Sequence, residues 1–454
     1  VTGTEQYQVV IVGAGFAGIA CAKELAKHDI RVAVIDRNNY HQFQPLLYQV
    51  ATAQLGVGDI ARSLRGIFAK DHSVSVKTAT VVSADPATRT VTTADGTRYI
   101  GEVLVLAAGA QPNFFHTPGA AEHSFPLYSV AGALRLREHT LGLLDAVSRD
   151  RSYLDKGALN FVVVGAGPTG VETSGALSEL VRNIIPHFYR DVPCEMAEVH
   201  LVDLGHVVLN GFSQPRAHNY ASGRLEKDGV QIHLGVGVAE IGPGQVRLAD
   251  GTELNTRTVV WGGGEMAAPL LAAAGLAQGR GGRIDVSPDL TVPGADGVYV
   301  LGDAANIAGP DGKPFPQLGS VAQQSGGWAA KNIGADLAGK SRKPFHYHDK
   351  GIMAMIGRNA AVAEMGKHRH EVDGPLGFAA WLGVHAMLLS GVREKTDAFM
   401  KWGWEYVSHS RPDSLIESRS SVAIDWDDDQ KESEEPPNLP DADEPAPRTA
   451  TRLT

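Results

Sequence analysis

Gln8-Val9-Val10-Ile11-Val12-Gly13-Ala14-Gly15-Phe16-Ala17-Gly18 runs from an apolar, β-branched stretch straight into three glycines spaced GxGxxG, and Ile19-Ala20-Cys21-Ala22-Lys23-Glu24-Leu25 continues as a helix of small residues. The arrangement returns as Asn160-Phe161-Val162-Val163-Val164, then Gly165-Ala166-Gly167-Pro168-Thr169-Gly170, then Val171-Glu172-Thr173-Ser174-Gly175-Ala176-Leu177. In such a strand–turn–helix the first glycine makes the tight turn and the second lets a pyrophosphate approach the backbone. The third lets helix and strand pack, while the helix N-terminus offers N–H groups and a partial positive charge to phosphates. With 52 glycines among 454 residues, one such spacing can arise from glycines that only turn the chain. Two, each with its strand and helix, predict that one chain holds two dinucleotides in an α/β fold with two Rossmann-like domains.

The length allows two or three domains with large cores. A composition of 43% hydrophobic and 20% charged residues is that of an ordinary globular enzyme. The two cysteines, Cys21 and Cys194, fit neither a disulfide framework nor a metal site, so the expected setting is reducing and no metal is expected. No secretory signal opens the sequence, and no apolar run reaches the 18 or so residues of a membrane-crossing helix. Of the net charge of −10, the segment Asp425–Pro445 contributes −9 through ten carboxylates and one lysine. That proline-rich stretch predicts a disordered acidic tail over 421–454. No clustered basic patch points to nucleic acid.

An acidic residue closing the second strand of a nucleotide unit binds the adenosine ribose hydroxyls. Arg31-Val32-Ala33-Val34-Ile35-Asp36 places Asp36 there, 18 residues past Gly18. Val199-His200-Leu201-Val202-Asp203 offers Asp203 for the second unit, but 33 residues past Gly170, so the connection must be extended through 183–198. An acid repels a 2′-phosphate and no arginine follows in Leu204-Gly205-His206, so NADH is expected rather than NADPH. Gly297-Val298-Tyr299-Val300-Leu301-Gly302-Asp303-Ala304-Ala305 resembles the late FAD motif of two-dinucleotide flavoproteins, which implies that Asp303 binds the ribityl or pyrophosphate part of FAD. A helix N-cap is the other reading of that Gly-Asp. Val103-Leu104-Val105-Leu106-Ala107-Ala108-Gly109 resembles the crossing from the FAD domain to the NAD domain. The expected order is therefore an FAD domain over 1–149, an inserted NADH domain over 150–282, the rest of the FAD domain over 283–345, and a C-terminal interface and amphipathic segment over 346–420.

Asn39-Tyr40-His41-Gln42-Phe43-Gln44-Pro45-Leu46-Leu47-Tyr48-Gln49-Val50-Ala51-Thr52, the stretch from Val163 to Glu172, and the set Trp381, His385, Leu389, Gly391, Trp402 and Tyr406 are similar to the signatures of type II NADH:quinone oxidoreductases, single-subunit NADH dehydrogenases that do not pump protons. The resemblance spans about residues 7–417. It implies FAD and NADH as cofactors, hydride transfer from NADH to FAD, and two-electron reduction of a quinone, menaquinone or ubiquinone. For FAD it implies Gly13, Gly15, Phe16, Ala17, Gly18, Asp36, Arg37, Gln44, Ala108, Gly109, Asp303 and Val321. For NADH it implies Gly165, Gly167, Pro168, Thr169, Gly170, Asp203 and Gly263. It also implies a peripheral enzyme on the cytoplasmic face of a membrane, and a homodimer is possible. Disulfide and sulfide:quinone reductases of related architecture need cysteines that this chain lacks.

Glu172 is implied to approach nicotinamide and flavin and to relay a proton; a carboxylate serving the helix dipole is the alternative. Relatives carry Ala-Gln-x-x-x-Gln before the helix that covers the flavin. Counted from Pro316, those glutamines fall on Ser320 and Gln324, with Gln323 as a substitute, and the covering helix is expected near Trp328. The serine leaves open another acceptor, such as a ferredoxin-like protein or oxygen, or a non-enzymatic sensor of the NADH/NAD ratio. Leu376–Ser390 lacks formal charge, and Arg393, Lys395 and Lys401 then interleave with Phe399, Trp402 and Trp404. This predicts helices lying in the headgroup layer, against the alternative of a hairpin that closes a dimer or caps the flavin domain. The acidic tail would oppose anionic lipid.

Overall fold

The structure, a computed structural model, describes residues 3–366, 369–389, 391–408, 411 and 413–415, with the side chains of 405–407 excepted. The expected acidic tail and the Tyr406 side chain lie outside the described residues.

The first sheet begins with β1 (Thr4–Val12), followed by helix α1 (Phe16–Ala26) and β2 (Val32–Asp36). Val9–Val12 and Val32–Ile35 are buried on both faces, and this is why they read as unbroken apolar runs rather than alternating ones. After the short helix α2 (Leu47–Ala51) come β3 (Val74–Thr78), β4 (Val81–Asp85), β5 (Thr90–Thr93) and β6 (Arg98–Leu106). Their order is β3-β2-β1-β6-β5-β4. The centre is parallel, with Val9 opposite Val32 and Val12 opposite Leu106, whereas β5 pairs antiparallel with both its neighbours.

The chain leaves this sheet through β7 (Ala110–Pro112). The second sheet takes in β8 (Phe125–Pro126), β9 (Asn160–Val164), β10 (Glu198–Asp203), β11 (Val230–Leu234) and, after an antiparallel three-stranded flap β12 (Val238–Gly242), β13 (Gln245–Leu248) and β14 (Glu253–Asn255), the strand β15 (Thr258–Trp261). The order β8-β15-β9-β10-β11 is parallel throughout. β8 belongs to this sheet by its pairing with β15, so structure of the second unit begins well before residue 150, with helix α3 (Val130–Arg149) packed in its core. Helix α4 (Pro168–Glu179) continues through a π-helical turn at Leu180–Ile184 to Phe188, which supplies the lengthened connection to Asp203. Helix α5 (Pro215–Lys227) completes the second unit.

β16 (Glu265–Ala267) pairs antiparallel with β7, so the exit and return strands run side by side. The chain then rejoins the first sheet as β17 (Val298–Val300), parallel to β6. Helix α6 starts at Gly319 and runs to Leu337, not near Trp328 as expected, and Trp328 lies within it. The helix packs on α1 at Gly326, where an added Cβ would collide with the Ala17 carbonyl.

A three-stranded antiparallel sheet, β18 (Gly351–Gly357), β19 (Ala360–Met365) and β20 (His370–Asp373), precedes two helices, α7 (Gly374–Leu388) and α8 (Val392–Ser408). The sequence had suggested the helices but not the sheet. Trp381, His385, Ala398 and Trp402 bury one side of the helical pair. Among the described residues, no helix is long and apolar enough to cross a membrane.

Candidate functional site

The two glycine turns are built alike. Gly13 and Gly165 adopt φ of +99° and +100°, and a Cβ on either would strike backbone at the ends of neighbouring strands, Ala107 for Gly13 and Gly262–Gly263 for Gly165. Gly18 and Gly170 each lie against the carbonyl of the first glycine of their own turn. Ala14 N–H donates to Asp36 at 2.7 Å and Ala166 N–H donates to Asp203 at 2.5 Å. The second oxygen of each carboxylate accepts a backbone N–H just downstream, from Asn38 at 2.8 Å and from Gly205 at 2.5 Å. Each acid therefore fixes the loop that would cradle a pyrophosphate. A carboxylate oxygen has two lone pairs, so one remains on each for a ribose hydroxyl.

Between the units lies a cavity of about 940 Å³. Phe16, Gln44 and Asp303 reach it from the first unit, Pro168, Thr169 and Glu172 from the second, and Ser320 and Gln323 from α6. Gly13 and Gly15 form the turn before Phe16, and Gly18 lies in the first turn of α1. Arg37 is exposed next to Asp36, and Ala108 and Gly109 form the bend between β6 and β7. Ala17 and Val321 are buried together in the core beneath the first sheet. Gly263 abuts Gly165, while its neighbours Gly262 and Gly264 line the cavity.

Gln324 lies outside this set. Its amide donates to the His348 carbonyl and accepts the His348 N–H, both at 2.9 Å, which ties α6 to the segment after it. Ser320 faces the cavity and exchanges a hydrogen bond with the Tyr347 hydroxyl at 2.8 Å. Of the two adjacent glutamines, Gln323 is the one that faces the cavity.

Glu172 is buried, and the N–H of Met355 and the indole N–H of Trp381 donate to the same carboxyl oxygen at 3.1 and 3.3 Å. Burial outweighs both bonds and pushes its pKa up to about 8. These contacts bind it to β18 and α7, so it is more than a partner for the dipole of its own helix. His385 stacks on Trp381 with ring centroids 4.0 Å apart and shares a 2.9 Å hydrogen bond with the Trp381 carbonyl through Nδ1. Burial lowers its pKa to about 4, so near neutrality Nδ1 carries the proton and Nε2 is an acceptor. Gln49 ties α2 to α8 by accepting from Trp402 Nε1 at 2.8 Å and donates to the Tyr48 hydroxyl at 3.0 Å.

Asp303 sits within a 3-10 turn, Gly302–Ala304, and caps no helix among the described residues. Its carboxyl has no hydrogen-bond partner there, and burial raises its pKa to about 6 despite the nearby Arg283. An orphaned acid facing a cavity, two glycine cradles and a space shared between two nucleotide units fit FAD in the first unit and NADH in the second. Sequence reasoning missed Tyr128 and Glu265, both of which line the cavity close to Asp303. The signal for Glu265 was a lone acid directly after Gly262-Gly263-Gly264. Cys21 and Cys194 are buried outside the cavity, and burial pushes both thiols up, away from thiolate chemistry.

Residues 7–326 match the family described as pyridine nucleotide-disulphide oxidoreductase. The chain is 35% identical over 438 residues to the type II NADH:quinone oxidoreductase NdhA of Mycobacterium tuberculosis, with 92% of this chain and 91% of that protein covered. It is 33% identical over 437 residues to the type II NADH:quinone oxidoreductase Ndh of the same organism, with 92% of each covered. In fold it resembles the NDH2 of Plasmodium falciparum in complex with NADH, with a TM-score of 0.83 at 16% identity, covering 90% of this chain and all of that one. Motifs, architecture and full-length similarity agree: the chain belongs to the pyridine nucleotide-disulphide oxidoreductases and, among them, to the type II NADH:quinone oxidoreductases.

Proposed function

We propose that this chain oxidises NADH and, through bound FAD, reduces a quinone at a membrane surface. The observation that carries the reading is the single cavity reached from both nucleotide units and from α6, with Glu172 in its wall. Bound FAD supplies a carrier that accepts a hydride on one side and returns two electrons on the other. Pro168 and Thr169 form the wall by which the second unit brings NADH to the seam, and Asp203 holds the loop beneath its phosphates. Glu172, protonated near neutrality, holds a proton beside the seam. Gln323 and Ser320 offer an amide and a hydroxyl on the α6 wall, where a quinone carbonyl would be held, and Val384 and Leu388 of α7 line the same cavity with apolar surface for a quinone tail.

The outer side of the α7–α8 pair supports the membrane reading. Met387, Val392 and Met400 are 76%, 83% and 68% exposed, with Arg393 and Lys395 beside them. Apolar side chains rimmed by cations suit a helix lying among lipid headgroups.

The test is anaerobic rapid mixing of the purified yellow protein with NADH, then with short-chain ubiquinone and menaquinone analogues. Bleaching of the flavin band by NADH and its fast return with a quinone is the expected result. Return with a soluble dye or oxygen but with no quinone would establish a reductase with another acceptor.

A further inference from the structure

Glu265 opens β16, opposite Pro112 of β7, on the antiparallel pair that joins the two nucleotide units. Its side chain is thereby placed at the seam, in the wall of the same cavity that Asp303 lines from the first unit. Among the described residues neither carboxyl has a hydrogen-bond or ion-pair partner. The cations that line the cavity, Lys23, Arg62 and Lys350, are not paired with either acid, and Lys23 and Arg62 pair instead with Asp71 and Glu394. Two unpaired carboxyls lining one cavity oppose each other's ionisation, so the second proton is held more tightly than the first.

We propose that Glu265 stands as a neutral acid beside the bound dinucleotides and donates a hydrogen bond to an acceptor oxygen of their ring systems, while Asp303 carries the negative charge of the pair. This rests on the flavoprotein reading above.

The surrounding groups decide which acid keeps the proton. Arg283 draws Asp303 toward ionisation, and the exposed Arg280, on the turn packed against β16, acts on Arg283. Glu265 is exposed along the cavity, yet the protein around it and Asp303 both disfavour its charge, and its pKa rises to about 8 while that of Asp303 rises only to about 6. The Tyr128 hydroxyl, beside both acids, is pushed up by burial and by their charge and stays neutral. Glu172 lines the same cavity with both its N–H donors on one oxygen, so its second oxygen makes it the competing acid that the experiment must separate from Glu265.

The experiment measures the flavin midpoint potential of the FAD-loaded protein, by spectroelectrochemistry, across about three pH units around the value of about 8. It compares the wild type, Glu265→Gln and Glu172→Gln. Glutamine stays a neutral donor at every pH. The expected result is that wild type and Glu265→Gln coincide at the acid end, and that the wild-type potential then shifts below the variant's as pH rises and a carboxylate forms beside the flavin. Glu172→Gln should retain that divergence. Parallel curves for wild type and Glu265→Gln, or an offset already complete at the acid end, would overturn the inference. If Glu265→Gln takes up no flavin, the wild-type curve decides. A change of slope that persists in Glu172→Gln supports Glu265, and one that disappears there belongs to Glu172 and overturns the assignment. A wild type that binds no flavin at all overturns the flavoprotein reading and this inference with it, whereas a yellow protein without the pH-dependent shift overturns this inference alone.

Discussion

Asp203 and Asp36 show how one side chain organises a nucleotide loop, because each holds the N–H of the alanine between the first two glycines. Removing Asp203 takes away a charged acceptor from two amides as well as any contact with ribose. Asp203→Ala should therefore weaken NADH binding by about 1.5–3 kcal/mol and relax discrimination against NADPH. Titration of both nucleotides by fluorescence checks this, and a wild type that binds NADPH as tightly as NADH would refute the assignment. Glu172 offers a stability test with a definite sign. Its folded value of about 8 lies above the ordinary 4.5, so the native protein holds an extra proton between the two. The associated stabilisation is full below 4.5 and is lost as pH rises through about 8. Glu172→Gln should melt near the wild-type temperature in acid and above it in alkali, as read by circular dichroism; equal temperatures at high pH would show that the carboxyl ionises freely. For the acceptor, Gln323→Ala should slow flavin reoxidation several-fold, consistent with about 1 kcal/mol for one neutral hydrogen bond, and leave reduction by NADH unchanged. Gln324→Ala should leave both half-reactions intact, since its amide serves His348. A slow reoxidation in the second variant and not the first would reverse the two roles.

At the level of elements, the parts that sequence could reveal were those with a strong local signal. β1, β9 and their glycine turns are continuous β-branched runs closed by fixed spacings, and Asp36 and Asp203 were placed by counting from them, whereas Asp303 came from the later Gly-Asp motif and Glu172 from family resemblance. β18 and β19 were missed because Gly351–Gly357 and Ala360–Met365 draw heavily on Ala, Met and Gly, which favour strands weakly, and they become a sheet by pairing with each other and packing on α4 and α7. The start of α6 was misplaced because Gly319, Ser320, Gly326 and Gly327 are poor helix formers, yet small residues are what let the helix approach α1. Which of Gln323 and Gln324 faces the cavity depends on rotation about the α6 axis, about 100° between neighbours, and counting along a motif does not supply that angle. One face of the α7–α8 pair caps the core through Trp381 and Trp402, and Lys401 anchors it to Asp59 at 2.7 Å, while the other presents Met387, Val392 and Met400. Met387→Glu with Val392→Glu should abolish co-flotation with vesicles containing anionic lipid and leave NADH-dependent reduction of a water-soluble acceptor unchanged. If flotation is unaltered and a dimer falls apart instead, as read by light scattering, that face joins two copies.

For the molecule as a whole, the return of the chain to its first sheet has a consequence for how it comes to be folded. Leu104 pairs with Val298, and everything needed for the second sheet lies between them. A ribosome therefore finishes the guest before the host has received its last strand, and β6 must wait with the Leu104–Leu106 part of one edge unpaired. Contacts so distant along the chain close slowly. In refolding followed by pulsed hydrogen exchange, amides of β9, β10 and β15 should gain protection before those of β6 and β17, and simultaneous protection would show that the two sheets fold as one unit. The adjacent exit and return strands, β7 and β16, make that order tolerable. A guest whose two ends emerge side by side can fold first without pulling its host apart, which leaves the late arrival of β17 as the event that seals the first nucleotide site.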